Sequence, residues 1–182
     1  MSLIYLLNVT TNRANFEKKV IDISAKLGIN PNWLMAVMYI ESCLNHKAVN
    51  FQKGDDLDPA QRCKYRATGL IQFMPNTAKR LGVTTSDLLL MSNVDQLGYV
   101  YQYLKPYTGK MKRFVDVYFA VFFPAAMGKP ADYVMKTQKL SAAVIAKQNS
   151  GYDLDKNQEI TVQEVETVIL SRINSAYHHI IL

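Results

Sequence analysis

A chain of 182 residues, 49% apolar and 20% charged, is long enough to bury a core and has the make-up of a globular protein rather than a disordered or fibrous one. No apolar run reaches the roughly 18 residues that cross a bilayer, and the start, Met1 to Lys19, has an apolar patch with no basic segment ahead of it, so neither a membrane span nor a secretory leader is expected. The net charge of +6 comes from scattered residues such as Lys18-Lys19, Lys79-Arg80 and Lys110 to Arg113, a pattern for a solvated surface or an anionic wall or membrane and not the dense cluster that nucleic acid requires.

Helical periodicity dominates the chain. Phe16, Val20, Ile23 and Leu27 form a stripe that Gly28 terminates. Asn30-Pro31, an N-cap residue followed by proline, opens a second helix running to about Leu44. The stretch from Asn45 to Arg66 is polar, with Gly54, three aspartates and Pro59; it reads as a long surface loop that also admits a short hairpin. Pro75 opens a helix ending near Gly82. Val94, Leu97, Tyr101 and Leu104 pattern the next, which stops before Pro106. Phe114 to Phe123 reads as a central helix ending at Pro124, Ala131 to Lys147 as a further one. The last starts near Thr161 and places Val162, Val165, Ile169, Ile173 and Ile180 on one side. No set of alternating strands is present, so the expected class is all-α, or mainly α with a minor β hairpin. The cysteines, Cys43 and Cys63, match no metal spacing; they are either bonded across the polar loop or two reduced thiols.

Glu41 breaks the second helix's pattern. Leu34, Val37, Met38 and Glu41 fall at i, i+3, i+4 and i+7, which puts a carboxylate on an apolar face. Poor solvation and the helix C-terminus both disfavour its charge, and both raise a carboxyl pKa. Such a group holds a proton near neutrality and can donate it to a leaving oxygen, as glycosidic cleavage demands. The plain alternative is a glutamate at a helix edge paired with Lys47 or another base. A second stretch, Ala67-Thr68-Gly69-Leu70-Ile71-Gln72-Phe73-Met74-Pro75, is a glycine-led apolar turn with one amide that feeds a helix. Gln72 offers a donor and an acceptor to a sugar, Phe73 and Met74 apolar surface.

Ile40-Glu41-Ser42 with Asn45, followed by GLIQFMP and by Gly98 with Tyr101 and Tyr103, resembles the soluble lytic transglycosylase and goose-type lysozyme superfamily. The resemblance spans roughly residues 21–129. It implies a lysozyme-like helical domain with a groove over about residues 11–150, extended by a loop-helix unit at 151–182. It implies cleavage of the N-acetylmuramic acid to N-acetylglucosamine bond of peptidoglycan, by a monomer that needs no cofactor for catalysis. Glu41 would be the general acid and then the base. Gly69, Leu70, Ile71, Gln72, Phe73 and Met74 would bind substrate, with Ser42 beside them as support for the helix end. The family's third motif, Ala-Tyr-Asn-Ala-Gly, is altered here to the Val117 to Gly128 stretch, whose FFPAAMGK form resembles a phage-associated branch. Phe123-Pro124 fills the place of the Tyr-Asn pair, or Tyr118 supplies the hydroxyl. Wall-directed action, as part of a virion or delivered by another route, would follow. The rival is a non-catalytic glycan-binding or virion structural module that keeps the fold. Asp55, Asp56 and Asp58 are the carboxylates within reach for a hydrolase that holds water opposite Glu41.

Residues 153–164 fit an EF-hand-like frame for Ca2+. Asp153, Asp155 and Asn157 stand at positions one, three and five, Glu159 gives its carbonyl at seven, Ile160 is the apolar eighth, and Glu164 is the twelfth. Position six departs, with Gln158 where glycine belongs. The alternative is an acidic turn with Thr161 capping the last helix. His178 and His179 are expected in solvent rather than as ligands.

Overall fold

The computed structural model describes residues 3–52 and 55–182. Its regular structure is helical: α1 (Arg13–Leu27), α2 (Pro31–Ser42), α3 (Pro59–Arg62), α4 (Pro75–Arg80), α5 (Thr85–Leu90), α6 (Asn93–Leu104), α7 (Phe114–Phe122), α8 (Ala142–Gln148), α9 (Val162–Ser171) and α10 (His178–Ile181). Among the described residues there is no sheet, only the isolated antiparallel bridges Val49↔Thr68, Thr68↔Phe73 and Val134↔Thr161. The mainly-α class read from the sequence therefore holds. No described helix is long and apolar enough to cross a membrane. The chain forms two compact units, Met1–Thr108 and Gly109–Leu182.

In the first unit, Phe16, Val20, Ile23 and Leu27 of α1 are buried, and α1 packs on α2 and α6. Gly28 ends α1 at φ +68, its N–H donating to Ala25 O (3.2 Å) while Ile29 N–H donates to Ser24 O (3.1 Å). The Asn30 side chain accepts from Asn32 N at 2.9 Å and starts α2. That helix stops at Ser42, two residues short of the expected Leu44. Cys43 and Leu44 both turn left-handed, at φ 53 and 63. Their N–H groups close the helix on Tyr39 O (2.8 Å) and Met38 O (3.3 Å).

Within the polar loop, Lys53 and Gly54 lie outside the described residues. Among the described residues, the expected hairpin shows one bridge at its neck, Val49↔Thr68, where Asn50 N reaches Ala67 O at 2.8 Å. Asp58 caps the short α3 by accepting from Gln61 N at 2.9 Å. The unanticipated α5 is set by a Thr84/Asp87 capping box, too short a helix for periodicity to reveal.

In the second unit, every residue of α7 from Phe114 to Ala120 is buried. Asp116 is among them, at 1% exposure, because its carboxylate accepts from the N–H groups of Lys112, Arg113 and Gly128, each at 3.0 Å. Two sequence expectations need correction here. Residues 131–141 are not helical. Their start pairs with the approach to α9, through Met135 N to Ile160 O (2.8 Å) and Val162 N to Tyr133 O (3.1 Å). Thr137 then accepts from Lys139 and Leu140 N–H, and only Ser141 caps α8. The last helix also breaks at Ser171. Asn174 caps a 3-10 turn by accepting from Ala176 N, and α10 follows. His178 is half-buried rather than free in solvent, with Nε2 at 3.1 Å from Leu170 O and 3.2 Å from Ile173 O. It caps carbonyls that the broken helix leaves open.

Candidate active site

Glu41 sits half-buried on the last turn of α2, while Leu34, Val37 and Met38 on its face are fully buried. The neighbouring Ser42 hydroxyl shares its proton between Met38 O (3.0 Å) and Leu70 O (2.9 Å). That second contact ties the end of the glutamate's helix to the glycine-led turn. Ser42 is 9% exposed, so it anchors backbone rather than facing a ligand.

The turn is closed by a backbone exchange, Thr68 N to Phe73 O (3.0 Å) and Phe73 N to Thr68 O (2.9 Å). Gly69 lies at φ +86 and Gln72 at φ +52. Leu70, Ile71 and Phe73 point into the core at 0–2% exposure, whereas Met74 is 54% exposed. Gln72 turns its amide nitrogen onto Gly69 O (3.0 Å) and Ala48 O (3.3 Å), which occupies both of its protons. Of the expected substrate-binding set, the turn thus leaves Met74 and the amide oxygen of Gln72 as its side-chain contributions, with backbone as the remainder.

Two residues assigned no role from the sequence build this site. Gln96 of α6 is fully buried. Its oxygen accepts from Leu70 N at 3.0 Å, and its nitrogen donates to His46 O and Leu88 O, both at 2.6 Å. One amide therefore joins the turn, the segment after Glu41 and α5. Gly69 is required beside it, since a Cβ there would lie 2.5 Å from Gln96 Oε1. Gly69→Ala is expected to cost about 2–4 kcal/mol from left-handed strain and overpacking together, read as a lowered urea midpoint.

The second is Tyr103, named from the sequence only with Gly98 and Tyr101 as part of the resemblance; it lies seven residues and two turns along the same face of α6. Its ring meets Phe73 edge-on at 6.1 Å and Tyr107 at 6.4 Å. Burial pushes its phenol up to about 12, helped by the negative charges of Tyr107 and Glu41 and opposed by Arg80. Glu41 is thus an electrostatic neighbour of a phenol that stays protonated at neutral pH. Because the folded pKa lies above the unfolded value near 10, Tyr103 contributes stability that is complete below pH 10 and lost as pH rises toward 12. Tyr103→Phe should flatten the fall in urea midpoint between pH 10 and 12. The spacing Gln96, Val100, Tyr103, Tyr107 was the available signal for both residues.

Tyr118 lies in the second unit at 2% exposure, its hydroxyl hydrogen-bonded to that of Tyr152, which also receives Arg172 Nη1 at 3.2 Å. Asp55 is held by Arg66 at 2.9 Å, and the Arg66 hydrogen bond keeps its carboxyl below the usual range. Asp58 is spent on its cap and Asp56 is exposed. Both cysteines are free, Cys43 exposed and Cys63 buried. Asp153, Asp155 and Glu164 come together within 4.8 Å in the second unit.

A mainly helical fold with a half-buried glutamate held against a glycine-led turn defines a lysozyme-like class of protein. The transglycosylase SLT domain family matches residues 19–120, and the chain belongs to that family. The match takes in Glu41, the turn, Gln96, Tyr103 and Tyr118. The family is one of peptidoglycan lytic transglycosylases. No curated protein and no solved structure matches the chain.

Proposed function

We propose that the protein cleaves the β-1,4 bond between N-acetylmuramic acid and N-acetylglucosamine in peptidoglycan, as a lytic transglycosylase. The supporting observation is the Ser42 to Leu70 tie, which holds the Glu41 end of α2 against the Gly69–Met74 turn. Glu41 in its acid form gives its proton to the bridging oxygen as the bond from the muramoyl C1 breaks. The resulting carboxylate then takes the proton of the muramoyl 6-hydroxyl as O6 bonds to C1. No water is consumed, the acid is regenerated, and the product is a 1,6-anhydro sugar.

Membership of the family supports the wall as substrate. The commitment of Asp55 and Asp58 elsewhere supports transfer over hydrolysis, since transfer needs no second carboxylate to hold water. Mass analysis of a peptidoglycan digest tests the reading. Products lighter by one water than hydrolytic muropeptides are expected, and reducing ends would reassign the protein as a muramidase.

Tyr103 is the positioning hydroxyl in this reading, with Tyr118 as the rival. Tyr103→Phe is expected to lower turnover roughly tenfold and to move the pH limb that reports Glu41. Tyr118→Phe should leave that limb in place. The opposite pattern would transfer the role to Tyr118.

A second reading rests on the altered third motif. Val117 to Gly128 contains no Tyr-Asn pair, which favours a glycan-binding or virion structural module that has kept the fold without turnover. Wall binding by the wild-type protein with no released muropeptides would establish it.

A further inference from the structure

The carboxylates of Asp153 and Asp155, in the loop after α8, and of Glu164, on the first turn of α9, each place an oxygen within 4.8 Å of the others. No ion pair among the described residues reaches them. Lys156, next to Asp155 in the chain, donates instead to the main-chain carbonyls of Ser150 (3.1 Å) and Asp153. Three like charges this close repel one another, and among the described residues no salt bridge offsets them.

Asp153 carries the argument further. It is only 7% exposed, and its Oδ1 is buried without a hydrogen-bond partner. Its other oxygen accepts one long bond, from Gln158 N at 3.3 Å. A buried carboxylate oxygen with no donor is costly, and native structures keep one where an ion or ligand completes it.

The remaining donors are already oriented. Asp155 Oδ1 accepts from Asn157 N (3.2 Å), and Asn157 Oδ1 from Glu159 N (2.8 Å). Glu164 is fixed by Thr161 N (2.8 Å) and Leu154 N (2.9 Å). Gln158 adopts φ +68, the left-handed turn at the sixth position, despite being no glycine.

We propose that residues 153–164 bind one Ca2+ through the side chains of Asp153, Asp155, Asn157 and Glu164 and the carbonyl of Glu159. With Glu164 bidentate this set supplies six oxygens and leaves room for water, which suits Ca2+ and exceeds what Mg2+ accepts from protein groups. The ion completes the Asp153 oxygen, cancels the carboxylate repulsion and clamps the loop to the start of α9. There Ile160, Val162, Val165 and Ile169 are buried. The proposal is independent of the glycan chemistry.

The test is calorimetric titration of EDTA-treated full-length protein with CaCl2, paired with thermal unfolding. One site is expected, at least about tenfold tighter for Ca2+ than for Mg2+. The unfolding midpoint should rise by about 5 °C at saturation, and matched KCl should produce no such rise. Asp155 is exposed, so Asp155→Asn should fold normally. It is expected to weaken Ca2+ binding at least about tenfold while leaving the EDTA-treated midpoint unchanged or higher, because one repulsive charge is gone. Asp153→Asn should abolish binding; should it fail to fold, Asp155→Asn decides alone. Absence of heat and of a midpoint shift up to about 10 mM CaCl2 overturns the site, as does an undiminished response in Asp155→Asn.

Discussion

Glu41→Gln should abolish release of muropeptides, a loss on the order of 10^3-fold, while the protein stays folded. The amide keeps the size and hydrogen-bonding reach of the carboxyl but has no proton of suitable acidity to donate. Stability should change little, because the amide is close to the protonated carboxyl in size and shape. The measurement is product formation by mass beside a thermal unfolding curve for the same preparation. Turnover within tenfold of wild type would refute Glu41 as the acid. Wild-type protein without turnover would leave the substitution silent and favour the structural module instead. The two readings therefore separate on one pair of samples.

Gln96→Leu carries the largest expected cost to stability. The side chain is fully buried and serves three backbone groups: Leu70 N, His46 O and Leu88 O. Leucine fills most of the volume but leaves all three without their partner. At about 1–3 kcal/mol for each buried group left unpaired, the sum is roughly 3–5 kcal/mol, allowing for the half-buried His46 contact. The urea midpoint reads this directly. Activity at a temperature where the variant remains folded should fall as well, because the Gly69–Met74 turn loses its anchor to α6. A variant with wild-type midpoint would show that the amide is dispensable and that water or local rearrangement satisfies the turn. Gln96→Glu should do worse than leucine, since it keeps the acceptor for Leu70 N but sets a carboxylate against two carbonyls.

The helices that bury a stripe of four apolar residues were legible before any coordinates, and so were those opened by Asn30-Pro31 or by Met74-Pro75. Where local polar chemistry competes with periodicity, the pattern misleads. Residues 131–141 hold apolar residues at helical spacing, yet Thr137 bonds its own neighbours and Met135 pairs across to Ile160. Val162 to Ile180 reads as one apolar side, yet Asn174 and His178 divide it into two helices. In both places a side chain within two to eight residues offers the backbone a partner that a helix would have supplied, and the turn wins.

The candidate site divides along the same line. The chain's local grammar determined that a glutamate would end an apolar helix, that a glycine-led turn would follow it, and that residues 153–164 would curl around a point. Each depends on neighbours a few residues apart, and such contacts form whatever the rest of the molecule does. Only the tertiary structure decided that Ser42 would grip Leu70, that Gln96 would hold the turn, that Tyr103 would stand near Glu41, and that Asp153 would be buried with an unpaired oxygen. The first three join residues 26 to 62 positions apart, and the burial of Asp153 depends on helices closing around it. No window along the chain contains both partners, so these features exist only once the core has packed.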